Sequence, residues 1–380
     1  MPSVYRRPLP PTLIAFASPA GRALFDAARR DGGMESFFPL IEQFHTQADP
    51  AFCGLGSLVV ALNALGVDPG RLWKGPWRWF SEELLDCCIP LERVRTHGIT
   101  LEEFACLARC NGARAEVHRT DAHDLASLRA AVIAATSSAV DPALIVSYDR
   151  GALGQTGAGH FSPIGGFDRA SDHVLVLDVA RFKYPPHWVS LPALHTAMQP
   201  LDPATGRPRG WVDLRRSDRP VSLLFTARCV GDGNFAAFAD GLARLRARLH
   251  DAAPRDLSAT LRVILTAATS LSIVLERRGL ALAEHADAAD ALLTDLRSVP
   301  LHATVAAADP PLDADAATLL ILALPADLAS SLPTGARADW LAAVDPDRLP
   351  ASVRGECEYI RRQLADLCAL APGACARCGP

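Results

Sequence analysis

The hydrophobic positions in the first half of the chain follow two different periodicities. Five apolar residues recur at the spacing of one helix face: Phe52, Leu55, Val59, Leu62 and Leu65. Asp49 followed by Pro50 is typical of a helix start, so we predict a helix with Asp49 as its N-cap and Pro50 as its first residue. The same spacing predicts a short helix from Ser81 through Cys87 and another from Leu101 to Cys110.

Other segments have the pattern of β-strands. The runs LIVSYD, HFSPIGGFD and HVLVLDVA are rich in β-forming residues and are separated by glycine or polar turns. Helices together with antiparallel strands predict the α+β fold class.

The second half of the chain is richer in alanine and is predicted to be mainly helical. One apolar stripe is formed by Phe235, Phe238, Leu242, Leu245 and Leu249. Leu257 to Leu275 and Leu280 to Leu296 predict two more helices, and the apolar run from Thr318 to Leu324 predicts a buried strand.

Length and composition indicate two domains. The chain has 380 residues, and 22 of its 24 aromatic residues precede position 250. The polar run RRSDRP, from Arg215 to Pro220, separates the two compositions. We therefore predict a helical and antiparallel-sheet domain over residues 1–220 and an Ala-rich, mainly helical domain over residues 221–380, which regulates or stabilises the first.

Charge and cysteine content narrow the class of protein. The formal net charge is −4, so there is no basic excess for nucleic-acid binding. Ten cysteines are too few for a disulfide-built secreted domain, and the N-terminus makes a poor signal peptide. The longest uncharged stretch, Pro50 to Val67, contains glycine, serine and asparagine and is expected to be a buried helix rather than a membrane span. We expect a cytoplasmic protein without membrane association, and a homodimer is one of its possible oligomeric states.

Cys53 is the first candidate for chemistry. It falls in the first turn of the predicted helix, where unpaired N–H groups and the helix dipole favour a thiolate. A free thiol with a pKa near 8.5 is only about 3% ionised at neutral pH, so a lowered pKa would make it a far better nucleophile. The alternative for this position alone is a small buried apolar residue.

A hairpin argument supplies a partner for this thiol. If the segment around His160 turns back near Ala170, residue numbers across its two strands sum to about 340. Ser162 then faces Asp178, and His160 lies diagonal to Asp178 on the same face. A carboxylate in that place would orient the imidazole of a nucleophile, base and orienter triad. Alone, His160 could equally be a buried or surface histidine.

Three long motifs resemble the catalytic domain of phytochelatin synthases: QADPAFCGLGSLVVALNALGVDPGRLWKGPWRWFSEELLDCC, QTGAGHFSPIGG and LDVARFKYPPHWV. The resemblance covers roughly residues 1–220 and extends more loosely to the C-terminal part. It implies a papain-like cysteine protease fold in which Cys53 is the nucleophile, His160 the general base and Asp178 the orienting carboxylate. The local papain signature with two nearby cysteines is absent, so the chain is not an ordinary papain.

The resemblance also implies binding residues. Gln47, six residues before Cys53, would join the Cys53 backbone N–H in holding an oxyanion. Asp202 and Arg209 flank a turn, where an acidic and a basic side chain can bind the ammonium and the carboxylate of a γ-glutamyl group. The resemblance places both residues at the donor pocket. A second, acceptor site would be formed by Arg181, Lys183 and Tyr184.

The implied reaction makes phytochelatins from glutathione for heavy-metal detoxification, through a Cys53 thioester and with release of glycine. No organic cofactor is expected, and Cd²⁺, Zn²⁺ or Cu⁺ would act mainly as glutathione thiolate complexes. Cys106 and Cys110 share a helix face but are expected to be structural thiols, and Cys375 with Cys378 is a weak metal-site candidate. Two alternatives remain, a hydrolase of glutathione or its S-conjugates and a non-catalytic metal-binding protein.

Overall fold

The computed structural model describes residues 6–69, 72–87, 89–217, 224–229, 235–268, 271, 273–277, 283–310 and 313–369. Contacts divide the chain into two compact units. One comprises the described residues of 1–69, 79–85 and 91–218, and the other comprises those of 70–78, 86–90 and 219–380. Separate roles for residues 1–220 and 221–380 stay a prediction.

The first unit combines helices with an antiparallel sheet. Its helices are α1 (Pro19–Arg30), α2 (Phe37–Gln43), α3 (Cys53–Ala64), α4 (Leu91–His97), α5 (Leu101–Cys110), α6 (Leu125–Thr136) and α7 (Leu191–Met198). Its strands are β1 (Ile14–Ala15), β2 (Ala113–Arg119), β3 (Ala143–Asp149), β4 (Gly159–Asp168), β5 (His173–Val176), β6 (His187–Ser190), β7 (Leu201–Asp202), β8 (Arg207–Pro208) and β9 (Gly210–Arg216).

Seven of these strands form one sheet in the order β1-β6-β5-β4-β3-β9-β2 among the residues that the structure describes, and β7 pairs with β8 separately. The first unit has one hydrophobic core on each face of this sheet, and β5 contributes to both, because successive side chains of a strand point to opposite faces. Val174 and Val176 pack with α6 and α7, whereas Leu175 packs on the other face with α2, α3 and Trp188. The sheet is thus covered by helices on both faces, and the predicted α+β class is confirmed.

The hairpin of β4 and β5 has the predicted register only beyond a bulge. Next to the turn, Asp168 pairs with His173 and Phe167 with Val174, one residue away from the predicted pairing. A bulge between Ile164 and Gly166 then shifts the register, so that Ile164 pairs with Val176. The shift restores the predicted alignment on the side of the hairpin that contains His160.

Helix α3 begins later than the sequence predicts. Phe52 is its N-cap and Cys53 its first residue, whereas Asp49 and Pro50 belong to the preceding turn. The Gln47 side chain explains the difference, because its Nε2 donates to the carbonyls of Asp49 (2.7 Å) and Pro50 (2.9 Å). Those carbonyls would otherwise accept the first hydrogen bonds of the helix. The predicted helix after Ser81 is also shorter, a single 3-10 turn over Glu82–Leu84.

The second unit is mainly helical, as predicted. Its elements are β10 (Phe225–Cys229), α8 (Phe235–Ala252), α9 (Leu257–Ala268), β11 (Ile273–Arg277), α10 (Ala283–Ser298), α11 (Pro300–Ala307), α12 (Ala314–Ala323), α13 (Thr334–Ala343) and α14 (Ala351–Ala369). Strand β10 pairs with β11, and side chains of α14 accept hydrogen bonds from backbone N–H groups of β10 and of the residue before it. Glu356 accepts the N–H groups of Leu224 and Phe225, and Gln363 accepts that of Ala227.

Two predictions in this unit were wrong in part. The predicted helix from Leu257 to Leu275 ends at Ala268, because Ile273 and Val274 are β-branched and pair with β10. The run from Thr318 to Leu324 is not a strand, since most of it lies in α12. That helix is buried on all sides from Asp315 to Ala323, so its apolar run carries no helical periodicity.

No helix of the described residues has the length and apolar character needed to cross a membrane.

Gly210 allows β9 to lie close to β2. A Cβ at this position would lie 1.9 Å from the His118 carbonyl oxygen. We expect Gly210→Ala to destabilise the protein by about 2 kcal/mol or more, because overpacked sites force the backbone apart. Thermal unfolding followed by circular dichroism would measure the effect. The control is Gly355→Ala in α14, where nothing lies within 4 Å of the new Cβ. A Gly210→Ala melting temperature equal to that of the control would contradict the close strand approach.

Candidate active site

Cys53 lies at the start of α3, where the helix packs on β4. Two glycines of this helix allow the neighbouring segments that contain Ile99 and Gln47 to approach it closely. A Cβ on Gly54 would lie 2.4 Å from Ile99, and a Cβ on Gly56 would lie 3.2 Å from the Gln47 side chain. The first N–H groups of a helix have no partner within it, so a substrate oxygen bound beside Cys53 would meet unpaired donors. Cys53 is half-buried, and its thiol is free.

His160 and Asp178 are buried beside each other. His160 is near the start of β4, and its Nε2 lies 2.9 Å from Asp178 Oδ1. Asp178 follows β5 in a short loop, where its Oδ1 also accepts the Ala180 N–H at 2.9 Å. Since Nε2 is engaged by the carboxylate, Nδ1 is the ring nitrogen left for the Cys53 sulfur. The structure thus brings the three predicted triad residues together.

The charges of this group favour a thiolate and an imidazolium. Burial raises the pKa of the Cys53 thiol, but the charge of His160 and its hydrogen bond to the sulfur outweigh burial and lower the pKa overall. Burial and the Arg150 charge lower the pKa of His160, yet Asp178 and Cys53 raise it above its ordinary value. Burial raises the pKa of Asp178, but His160 and Arg150 hold it well below its usual range. Cys53 is therefore placed to act as a nucleophile near neutral pH.

Arg150 is a fourth charged member of the site, and sequence reasoning missed it. It directly follows β3 and is 3% exposed. Its Nη2 lies 2.9 Å from Asp178 Oδ1, 2.8 Å from Asp178 Oδ2 and 2.8 Å from His160 Nε2. An arginine after a strand is usually a surface charge. The sequence therefore offers only a weak signal for a role of Arg150 in the site, which is that it directly follows the polar end of LIVSYD.

Gln47 is positioned near the triad by backbone and side-chain contacts. Its backbone N–H donates at 3.1 Å to the carbonyl of Val179, the residue that directly follows Asp178. Its side-chain nitrogen donates to two carbonyls of the turn before α3, while its buried Oε1 has no hydrogen-bond partner among the described residues. Oxyanion binding by Gln47 would require one N–H to leave a carbonyl and stays a prediction.

Glu82 holds the segment that contains Gln47. This buried carboxylate accepts the Ala48 N–H and contacts His45 Nε2, both at 3.1 Å. Sequence reasoning placed Glu82 in a helix and assigned it no role.

Arg209 presents a buried positive charge close to His160. It is 3% exposed, and its Nη1 donates to the Pro200 carbonyl at 2.8 Å. Its Nη2 and Nε face Gly159, where a Cβ would lie 3.2 and 3.3 Å from them. Within the part of the chain that the structure describes, no carboxylate forms an ion pair with Arg209. A buried guanidinium without a carboxylate is suited to bind one from a ligand.

Asp202 lies on the same hairpin but faces Arg207 in the register of β7 and β8. It is partly exposed, and its Oδ1 accepts the Ala204 N–H at 3.0 Å. The structure therefore places Asp202 and Arg209 on one short hairpin without pairing them with each other.

The three predicted acceptor residues follow Asp178 but differ in their surroundings. Arg181 is exposed and lies over the Phe44 ring. Lys183 is partly buried, and its Nζ lies 3.0 Å from where a Gly157 Cβ would be. Burial and the Arg150 charge lower the pKa of Lys183. Tyr184 is buried, and its hydroxyl accepts the Thr156 N–H at 2.8 Å. Acceptor binding by these residues stays a prediction.

Two buried thiols lie apart from the triad. Cys106 Sγ and Cys110 Sγ are 4.0 Å from each other on α5. No group of three or more His, Cys, Asp or Glu side chains among the described residues is arranged to hold a metal ion. Cys375 and Cys378 lie outside the described residues.

Comparison with known proteins identifies the family of this chain. The family model described as phytochelatin synthase matches residues 4–211, more than half of the chain. The chain belongs to the phytochelatin synthase family.

Relatives from plants and yeast match the same part of the chain. Glutathione gamma-glutamylcysteinyltransferase 3 of Lotus japonicus is 52% identical over 231 residues, which are 60% of this chain and 48% of that protein. Enzyme 1 of that name from Arabidopsis thaliana is 51% identical over 230 residues, 60% of this chain and 47% of that protein. The Schizosaccharomyces pombe protein is 47% identical over 222 residues, 58% of this chain and 53% of that protein. The chain thus spans about half the length of these members of the phytochelatin synthase family.

The electrostatic pairing of Cys53 with His160 predicts how the reactivity of the Cys53 thiol depends on pH. His160→Asn removes the charge that lowers the pKa of the Cys53 thiol. We expect alkylation of Cys53 by iodoacetamide at about pH 6.5 to slow about tenfold or more, since each pKa unit changes the thiolate fraction tenfold. Mass spectrometry of the Cys53 peptide would measure the rate.

The matched control is His173→Asn, on the same hairpin, whose ring Nδ1 contacts the Ser171 carbonyl and hydroxyl. Equal alkylation rates in the two variants would contradict the pairing of Cys53 with His160.

Proposed function

We propose that this protein makes phytochelatins by transferring the γ-glutamylcysteinyl group of one glutathione to the amine of another, with release of glycine. The observation that carries the proposal is the row formed by Cys53, His160 and Asp178, inside a chain of the phytochelatin synthase family. The relatives are named for glutathione as the donor and for the γ-glutamylcysteinyl group as the group transferred.

The first half of the reaction forms an acyl-enzyme. The Cys53 thiolate attacks the carbonyl carbon of the Cys–Gly bond, and the resulting oxyanion faces the N–H groups at the start of α3. His160 then gives its proton to the glycine nitrogen, and the C–N bond breaks. Glycine leaves, and the γ-glutamylcysteinyl group remains on Cys53 as a thioester.

The second half transfers this group to an acceptor. The γ-glutamyl amine of a second glutathione attacks the thioester carbon, His160 takes the amine proton, and the C–S bond breaks. The product is one γ-Glu-Cys unit longer, and Cys53 returns to the thiolate. Water at about 55 M competes for the thioester, so transfer requires an acceptor held in line and water excluded.

Arg209 supports recognition of the donor. Its guanidinium, which forms no ion pair with a carboxylate among the described residues, can bind the α-carboxylate of a γ-glutamyl group through the edge next to Gly159, and Asp202 can accept the ammonium of that group. We assign the acceptor to Arg181, Lys183 and Tyr184, which follow the triad carboxylate along the chain. Lys183 and Arg181 offer positive charge to the carboxylates of a second glutathione.

Heavy-metal ions enter this scheme as part of the substrate. Soft ions such as Cd²⁺, Zn²⁺ and Cu⁺ bind thiolates, so a metal–glutathione complex can serve as the acceptor. Ten cysteines in 380 residues are too few for a disulfide-built secreted domain, so we propose the reducing cytoplasm as the location. We assign catalysis to residues 1–220, which contain every triad and binding residue, and regulation or stabilisation to residues 221–380.

The products formed from glutathione test the proposed reaction. We expect oligomers of γ-Glu-Cys with a C-terminal glycine, together with free glycine, in the presence of Cd²⁺. Mass spectrometry identifies them, and Cys53→Ser should form none because no thioester can arise. Free γ-Glu-Cys and glycine alone would indicate a hydrolase, and no turnover would indicate a non-catalytic metal-binding protein. Either result would contradict transfer.

Replacing Arg209 tests the donor pocket. We expect Arg209→Gln to raise KM for glutathione about tenfold or more, since a charge-assisted hydrogen bond contributes about 1.5–3 kcal/mol. The change would be measured on the first release of glycine from glutathione, as a function of glutathione concentration, because this step precedes attack by the acceptor. The control is Arg207→Gln on the same hairpin, whose side chain is 55% exposed and forms solvent-accessible ion pairs with Glu102 and Asp121. Similar KM values in both variants would contradict the role of Arg209.

A further inference from the structure

Gln155 is a buried polar residue in an otherwise exposed loop. The loop from Gly154 to Gly159 leads into His160 and contains three glycines, two of which have positive φ angles. Residues 156–159 are exposed, whereas Gln155 is 4% exposed. Burial of an amide is costly unless both its ends are hydrogen-bonded, so the contacts of Gln155 indicate why it is inside.

His187 fixes one end of this amide. The His187 ring is fully buried, and its Nδ1 lies 2.9 Å from the Pro185 carbonyl, which can only accept. Burial lowers the pKa of His187, which favours the neutral ring, and the Pro185 carbonyl holds the ring proton on Nδ1. Its Nε2 is therefore an acceptor, and Gln155 Nε2 donates to it at 3.4 Å.

Arg150 fixes the other end. With its nitrogen turned to His187, Gln155 presents Oε1 to Arg150 Nη1, which donates at 2.8 Å. The Gln155 backbone N–H also donates to the Arg150 carbonyl at 2.9 Å. A chain of hydrogen bonds with defined directions thus runs from Pro185 through His187 and Gln155 to the guanidinium that contacts Asp178.

The orientation of this guanidinium matters for the tautomer of His160. Arg150 Nη2 is within hydrogen-bond distance of both Asp178 and His160 Nε2. If it donates to Nε2, the neutral imidazole must have its proton on Nδ1 and cannot accept the proton of Cys53. If it donates to Asp178, Nε2 keeps its own proton and Nδ1 remains the base.

We propose that Gln155 and His187 are positioning residues that hold Arg150 on Asp178 and thereby keep His160 in the tautomer that activates Cys53. Neither residue touches the reacting atoms, and both act through Arg150. The inference concerns the catalytic pair and does not depend on the identity of the substrate. The titratable and charged groups near His160 among the described residues are Cys53 from α3, Tyr148 from β3, Arg150, Asp178, Arg209 beside Gly159 and, farther away, His187 and Lys183.

The pH dependence of Cys53 alkylation in Gln155→Met tests the inference. Methionine has a similar volume but offers no acceptor to Arg150. With its Nη1 unpaired, we expect the guanidinium to turn toward His160 Nε2 and to disfavour the imidazolium. Alkylation of the Cys53 peptide by iodoacetamide at about pH 6 should then slow about threefold or more, the effect of a half-unit rise in the Cys53 pKa.

A double-variant cycle separates positioning from a general loss of packing. His187→Phe keeps a ring but removes the acceptor for Gln155, and we expect it to slow alkylation by about twofold or more. Because both residues act through one chain, the double variant should be no slower than Gln155→Met. The control is Gln199→Met, at an exposed site after α7, which should leave the alkylation profile unchanged.

Two results would overturn the inference: a Gln155→Met profile equal to that of Gln199→Met, or rate losses that multiply in the double variant. Circular dichroism establishes that each variant is folded, and if Gln155→Met does not fold, His187→Phe alone decides. The readout uses no glutathione, so failure of the proposed transfer reaction would leave this test intact.

Discussion

The structure of the site depends on the buried carboxylate of Asp178. A fully buried charge is tolerated only when partners compensate it, and here the imidazole of His160, the guanidinium of Arg150 and the Ala180 N–H all converge on it. These groups come from different strands and loops of one sheet. The bulge in β4, the short loop after β5 and the end of β3 must therefore be aligned before the carboxylate can be buried. The same alignment places His160 beside the first residue of α3, so folding of the sheet and activation of the thiol are a single requirement.

Much of this arrangement could be predicted from local sequence. The hairpin alignment of His160 with Asp178 followed from the turn near Ala170, although the bulge that restores it was not visible in the pattern. The start of α3 was placed too early, because a capping aspartate and a proline are typical of a helix start. The local hydrogen bonds from the Gln47 side chain to the Asp49 and Pro50 carbonyls leave no signal in the apolar pattern. Arg150 was missed for a related reason: an arginine at the end of a strand is usually solvated, and only the folded sheet shows its carboxylate. The run from Thr318 was predicted as a strand because a helix buried on all sides has no apolar stripe.

The proposed donor and acceptor positions differ in whether their side chains already contact other parts of the protein. Arg209 is held by backbone contacts from both sides and has a guanidinium edge facing Gly159, so a carboxylate can bind without rearrangement of the hairpin. Tyr184, in contrast, already bonds the loop that leads to His160, and Lys183 lies under Gly157 of that loop. Binding of an acceptor there would involve the same loop whose Gln155 contacts Arg150. Transfer and hydrolysis differ only in whether an acceptor amine or water attacks the thioester. The position of this loop would therefore affect the ratio of the two reactions.

The central claim is that Cys53 and His160 form a thiolate–imidazolium pair supported by Asp178. The most direct measurement is the ¹⁵N chemical shift of the His160 ring at neutral pH, in the wild-type protein and in Cys53→Ser. The account predicts a ring protonated on both nitrogens in the wild type and a neutral ring with its proton on Nε2 when the sulfur is replaced. The same neutral ring in both proteins would contradict it.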